Sequence, residues 1–136
     1  MHRLKTRPQF QAALSGIIVA KTPHFALHRN SLDVMALSPR TGGATQQPAL
    51  FPVMDTWLGA MVPKRWARRA VTRNAIKRQI YVVSADFQHL FQQAAFVVRL
   101  RRDFSRTKFV SATSVQLQAA VRGELQSLLQ AGAAAP

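Results

Sequence analysis

The sequence predicts a single α/β domain, and three observations carry that expectation. The chain has 136 residues, a length that suits one domain with a real core. Hydrophobic residues make up 48% of it, more than a disordered basic tail would hold. Strand-like runs rich in Val, Ile and Phe lie between stretches whose apolar residues recur with a helical period. Neither internal repeats nor a second domain is visible. The domain is expected over residues 1–130, with 131–136, "AGAAAP", as a frayed tail.

The first element, "TRPQFQAALSG", is predicted to be a short helix. Thr6 and Gln9 have capping-box spacing, Pro8 fits a first turn, and Gly16 supplies a stop. Phe10, Ala13 and Leu14 then share one face. Three strand-like pieces follow at 17–21, 24–30 and 32–37, punctuated by Pro23 and by the turn signal at Asn30-Ser31. In the second piece Phe25 and Leu27 alternate with His24, Ala26 and His28, the pattern of a half-buried strand. Residues 38–56 carry three prolines and two adjacent glycines, and are expected to form an exposed loop longer than a hairpin needs. "WLGAMV" at 57–62 is a further strand interrupted by Gly59, and "PKRWARR" is a basic connector.

A helix is predicted around 70–83. Projected at about 100° per residue, Val71, Ala75, Ile76, Ile80, Val82 and Val83 fall on one arc, with Gln79 the polar intruder. Arg73, Asn74, Lys77, Arg78 and Tyr81 fall on the other. "FVVRL" at 96–100 is the next strand. A closing helix over 113–130, begun by a Thr or Ser cap, has Leu117, Val121, Leu125 and Leu128 as its core stripe.

Charge is the strongest global feature. Nineteen Lys and Arg face five Asp and Glu, for a net charge of +14. Such a surface repels itself unless a polyanion neutralises it, and nucleic acid is the leading class of partner. With no cysteine there is no disulfide framework, thiol nucleophile or thiolate metal site. The N-terminus "MHRLKTRPQF" has no apolar h-region, and no run approaches the ~18 apolar residues of a spanning helix. A cytoplasmic protein without membrane contact is expected.

The charges are not evenly spread. Lys64, Arg65, Arg68, Arg69, Arg73, Lys77 and Arg78 fall within fifteen residues that contain no acid. A solvated helix face normally mixes signs, whereas Arg69, Arg73 and Lys77 stand at repulsive i,i+4 spacing. Several such repulsions together point to a phosphate-binding face. Seven phosphate contacts would make affinity fall roughly as the fifth or sixth power of salt concentration. Asn74 is open to two readings, a plain helix-surface residue or a partner of Arg73 at a phosphate or hydrated metal.

A catalytic role for the polypeptide finds little support. Asp33, Asp55, Asp86, Asp103 and Glu124 are scattered, whereas a two-metal nuclease needs clustered acidic ligands. His24 and His28, on a strand, would be about 13 Å apart and could not chelate one ion. His28 is either a partly exposed sheet residue or a ring on which a base can stack. Phe10 is either core or, beside Phe25 and His28, the wall of a groove for single-stranded nucleic acid. There is no Gly-rich phosphate loop, and no recognition helix in a helix-turn-helix pattern.

In motif order the chain resembles one known family, the protein subunit of bacterial ribonuclease P. The resemblance rests on Arg3-Leu4-Lys5 with Phe10-Gln11, on Phe25-Ala26-Leu27, on Gly59, Val62, Lys64 and Arg65, and on "AVTRNAIKR" at 70–78. It spans residues 3–130. Ala75 and Tyr81 depart from it, standing where the family carries basic residues.

The resemblance implies an α+β sandwich ordered α-β-β-β-α-β-α. Its small sheet would be mainly antiparallel, with helices packed on it and a left-handed βαβ crossover. The three strand-like pieces before 57 would then merge into two, with 17–21 in the connector or at the start of the 24–29 strand. By resemblance the protein is a monomeric cofactor of a ribonucleoprotein endoribonuclease whose RNA subunit, with bound Mg2+, hydrolyses the bond joining the 5′ leader to precursor tRNA. Lys64, Arg65, Arg68, Arg69, Arg73, Asn74, Lys77 and Arg78 would contact the catalytic RNA. Phe10 and His28 would line a groove for the leader. Two other readings compete: a structural ribosomal or ribosome-associated RNA binder, and a protein-only nuclease using an acid such as Asp33 or Asp86.

Overall fold

The capping box read from Thr6 and Gln9 forms. Thr6 Oγ1 accepts from the Gln9 amide at 3.3 Å, while Gln9 Oε1 accepts from the Thr6 and Lys5 amides at 3.2 and 2.7 Å. The helix it starts, α1, runs from Arg7 to Leu14 with Pro8 in its first turn. In the computed structural model, residues 2–30, 55–91, 93–102 and 115–134 are described. The other elements are strands β1 (His2–Arg3), β2 (Ile17–Lys21), β3 (Phe25–Asn30), β4 (Trp57–Met61) and β5 (Ala95–Leu100). Helix α2 spans Ala70–Phe87, continued by a 3-10 turn at Gln88–Leu90, and α3 spans Val115–Ala134.

The five strands form one sheet in the order β1-β4-β5-β3-β2. Strands β2 and β3, and β3 and β5, pair antiparallel. β4 pairs parallel with β5 and with the short β1, so α2 is the crossover of a βαβ unit. The order α-β-β-β-α-β-α is present, with the two-residue β1 added in front.

Strand alternation divides the core in two. On one face Trp57, Ala95 and Val97, with Leu4, lie against Ala12 and Ala13 of α1. Gly59 belongs to this face, and a Cβ there would stand 2.5 Å from the Phe10 ring, so the helix packs closely only because position 59 has no side chain. On the other face Phe25, Leu27, Leu58, Ala60, Phe96, Val98 and Leu100 lie against Ile76, Ile80 and Val83 of α2 and Leu117, Val121, Leu125, Leu128 and Leu129 of α3.

Several expectations are corrected. Residues 17–21 do not merge with the next strand; they form β2, which pairs antiparallel along β3 with an irregularity between Ile18 and Ala20. β3 is buried on both faces rather than half-buried, because it is an inner strand with helices above and below. Val71 and Val82 are 44% and 46% exposed, since only the Ile76–Ile80–Val83 stripe of α2 meets the sheet. The helix at 70–83 continues to Phe87. The expected frayed tail is helical through Ala134, where Gly132 is buried against Leu27 so closely that a Cβ would collide with it. The 32–37 piece, most of the 38–56 loop and the cap of α3 fall outside the described residues.

Candidate nucleic-acid interface

The basic connector is shaped by Pro63, whose carbonyl accepts from the amides of Trp66 and Ala67 at 3.0 and 3.2 Å. This turn buries Ala67 and leaves Lys64, Arg65, Arg68 and Arg69 exposed. The Arg65 guanidinium lies over the Trp66 ring, 5.2 Å from its centroid, a spacing at which the ring's quadrupole holds a cation in place.

Arg69 is the N-cap of α2, extended and without a side-chain cap bond, and no acid stands in the first turn. The positive end of the helix dipole therefore faces Arg68 and Arg69, an arrangement that favours a bound anion. Arg73 behaves differently from its neighbours. Its Nη1 donates to the carbonyls of Ala67 and Arg68 at 3.0 and 2.8 Å, so the side chain is half-buried and clamps connector to helix. Asn74 and Arg78 are exposed and Lys77 is half-buried. All eight residues expected on the RNA-contacting surface thus lie on the connector and the first turns of α2.

Phe10 and His28 lie on the opposite face of the sheet. Phe10, Leu14 and Met61 are half-buried at the flank of α1. His28 is only 7% exposed. Its Nε2 accepts from Arg99 Nε at 3.1 Å. Burial lowers its pKa, the Arg99 charge lowers it further, and the Leu14 backbone opposes both. The ring is thus held neutral under Leu14, and Arg99 is the residue it supports.

Sheet register sets Met61, Arg99, Ala26 and Lys21 in one row across β4, β5, β3 and β2. Lys21 and Arg99 therefore give this face two cations that sequence reasoning missed. The signal was available for Arg99, because in "FVVRL" it shares the period-2 face of Val97.

Two of the acids, Glu124 and Asp55, hold parts of the fold together. Glu124 accepts from Thr22 Oγ1, the His24 amide and His24 Nδ1 at 2.6, 2.7 and 2.7 Å, tying α3 to the β2–β3 turn. Asp55 pairs with His2 at 3.2 Å. Among the described residues no three His, Cys, Asp or Glu side chains gather. No described helix is long and apolar enough to cross a membrane.

A family model described as Ribonuclease P matches residues 1–123. The chain belongs to the ribonuclease P family. A ribonuclease P protein component of Burkholderia mallei (strain SAVP1) is 34% identical over 79 residues, 58% of this chain and 58% of that protein. The one of Trichormus variabilis is 32% identical over 96 residues, 69% of this chain and 66% of that protein. The chain thus spans somewhat under three fifths of the Burkholderia relative. The ribonuclease P protein of Staphylococcus aureus shares the fold, with a TM-score of 0.65 at 18% identity over 96% of this chain and 94% of that one. A mutant of that protein, described as defective in mRNA degradation activity, superposes with a TM-score of 0.62 at 18% identity, over 95% and 86% of the two chains.

Proposed function

We propose that the chain is the protein cofactor of a ribonuclease P ribonucleoprotein, binding its catalytic RNA and the 5′ leader of precursor tRNA. The observation that carries this reading is the acid-free cationic run of the connector and the first turns of α2, in a chain of this family. Phosphates of the RNA would be bound by Lys64, Arg65, Arg68, Arg69, Asn74, Lys77 and Arg78, with Arg73 holding the connector in place. The row beside α1 supports the leader assignment, for Phe10, Leu14 and Met61 offer an apolar wall and Arg99 and Lys21 offer cations for the backbone. His28 would act beneath that wall by positioning Arg99. Magnesium and the hydrolytic step belong to the RNA subunit, and the reaction takes place in the cytoplasm.

The test is a reconstitution at low millimolar magnesium. Purified protein is mixed with a bacterial ribonuclease P RNA and a precursor tRNA, beside RNA-only and protein-only controls. Stimulated release of the 5′ leader in the complete mixture is expected. A folded protein that binds RNA but gives no stimulation would indicate a structural RNA binder. Cleavage by protein alone would indicate a protein nuclease.

A further inference from the structure

Arg69, Arg73 and Lys77 stand four residues apart along α2, and the next position in that row is Tyr81. A tyrosine supplies no cation, yet the structure provides one there from another element. Arg3 lies on β1 in register with Leu58, whose side chain faces α2, so the Arg3 side chain leaves the sheet on the same side. Its guanidinium sits 4.0 Å from the centroid of the Tyr81 ring. The ring itself is anchored, because the Tyr81 hydroxyl accepts from the Ala60 amide at 3.2 Å. Arg3 remains exposed, so its donors are open to solvent. A guanidinium stacked on a fixed ring gives up less side-chain freedom when it meets a phosphate than a free arginine would.

We propose that Arg3, stacked on Tyr81, is a further contact to the catalytic RNA and extends the cationic row of α2 by one helical turn. Tyr81 is the positioning residue and Arg3 makes the phosphate contact. The inference rests on the RNA-binding reading above and adds a residue from the sheet edge to it.

The experiment is a titration of the full chain against a bacterial ribonuclease P RNA at several KCl concentrations, with urea midpoints measured for every variant. Arg3→Ala is expected to weaken binding about three- to tenfold and to reduce the salt slope by slightly less than one. Tyr81→Phe retains the ring, so it is expected to bind like wild type even where its urea midpoint falls. Tyr81→Arg in the Arg3→Ala background returns a cation to the row and is expected to restore both affinity and slope. A purely structural role for the pair would not give that rescue. Unchanged affinity and slope in Arg3→Ala would overturn the inference, as would failure of the folded double variant to recover. If wild-type protein shows no salt-dependent affinity for the RNA, the RNA-binding reading falls and this contact with it.

Discussion

His28 shows how one side chain can be placed by sequence yet be given its work by its surroundings. Its ring takes a hydrogen bond from Arg99, which an imidazolium could not accept at Nε2. Burial and the Arg99 charge hold its pKa below the ordinary 6.5. The sign of the pH effect follows. Below 6.5 the unfolded chain takes up a proton that the folded ring resists, so stability declines as the solution is acidified. Urea midpoints at pH 7.5 and 5.5 should therefore fall more for wild type than for His28→Gln, whose amide oxygen can still accept from Arg99. Equal falls would show that His28 does not titrate against folding. The same logic explains why Arg73 is not interchangeable with Arg78. Arg73 makes two bonds to connector carbonyls, whereas Arg78 is exposed.

The helices α1 and α2 differ most at their N-termini. α1 starts with a complete capping box, and Thr6→Ala should cost about 1 kcal/mol, read as a lower urea midpoint. α2 starts at Arg69, with neither a side-chain cap nor an acid in the first turn. That choice forgoes stability in the free protein, and it is intelligible if the helix end is kept for phosphate. Arg69→Asp should accordingly raise the stability of the free protein by about 1 kcal/mol through capping and the dipole. The same change should weaken binding to ribonuclease P RNA and flatten its salt dependence. An Arg69→Asp variant that bound RNA as tightly as wild type would remove this helix end from the interface.

Across the whole molecule the net charge of +14 makes folding and binding respond oppositely to salt. Screening relieves the self-repulsion of the free protein, while it competes with the phosphate contacts. Between about 20 and 200 mM KCl the urea midpoint should rise as RNA affinity falls steeply. A midpoint indifferent to salt would mean that the cations are already compensated within the fold. The five acids are too few to compensate them, and Glu124 is committed to holding α3 against the β2–β3 turn.

Local pattern was enough for the elements whose signals are local. The α1 cap, the helical period of α2 and α3, and the strands at 57–61 and 95–100 follow from side chains a few residues apart. The acid-free cationic run from Lys64 to Arg78 was likewise legible, because missing acids are visible in one dimension. Other features depend on partners distant in sequence. Burial of β3 on both faces depends on α1 and α3, and the exposure of Val71 and Val82 depends on how narrow a stripe of α2 meets the sheet. β1 is too short to carry a period, and it forms only because β4 offers it an edge. The row of Lys21, Arg99 and Met61 exists only through strand register, and the stacking of Arg3 on Tyr81 only through the pairing of β1 with β4. The sequence by itself determined the main helices and strands and the strongly positive charge of the chain, since propensity, capping and net charge are local or additive. Tertiary structure alone decided which cations from different elements stand together, because long-range pairing chooses the neighbours that lie far apart in sequence.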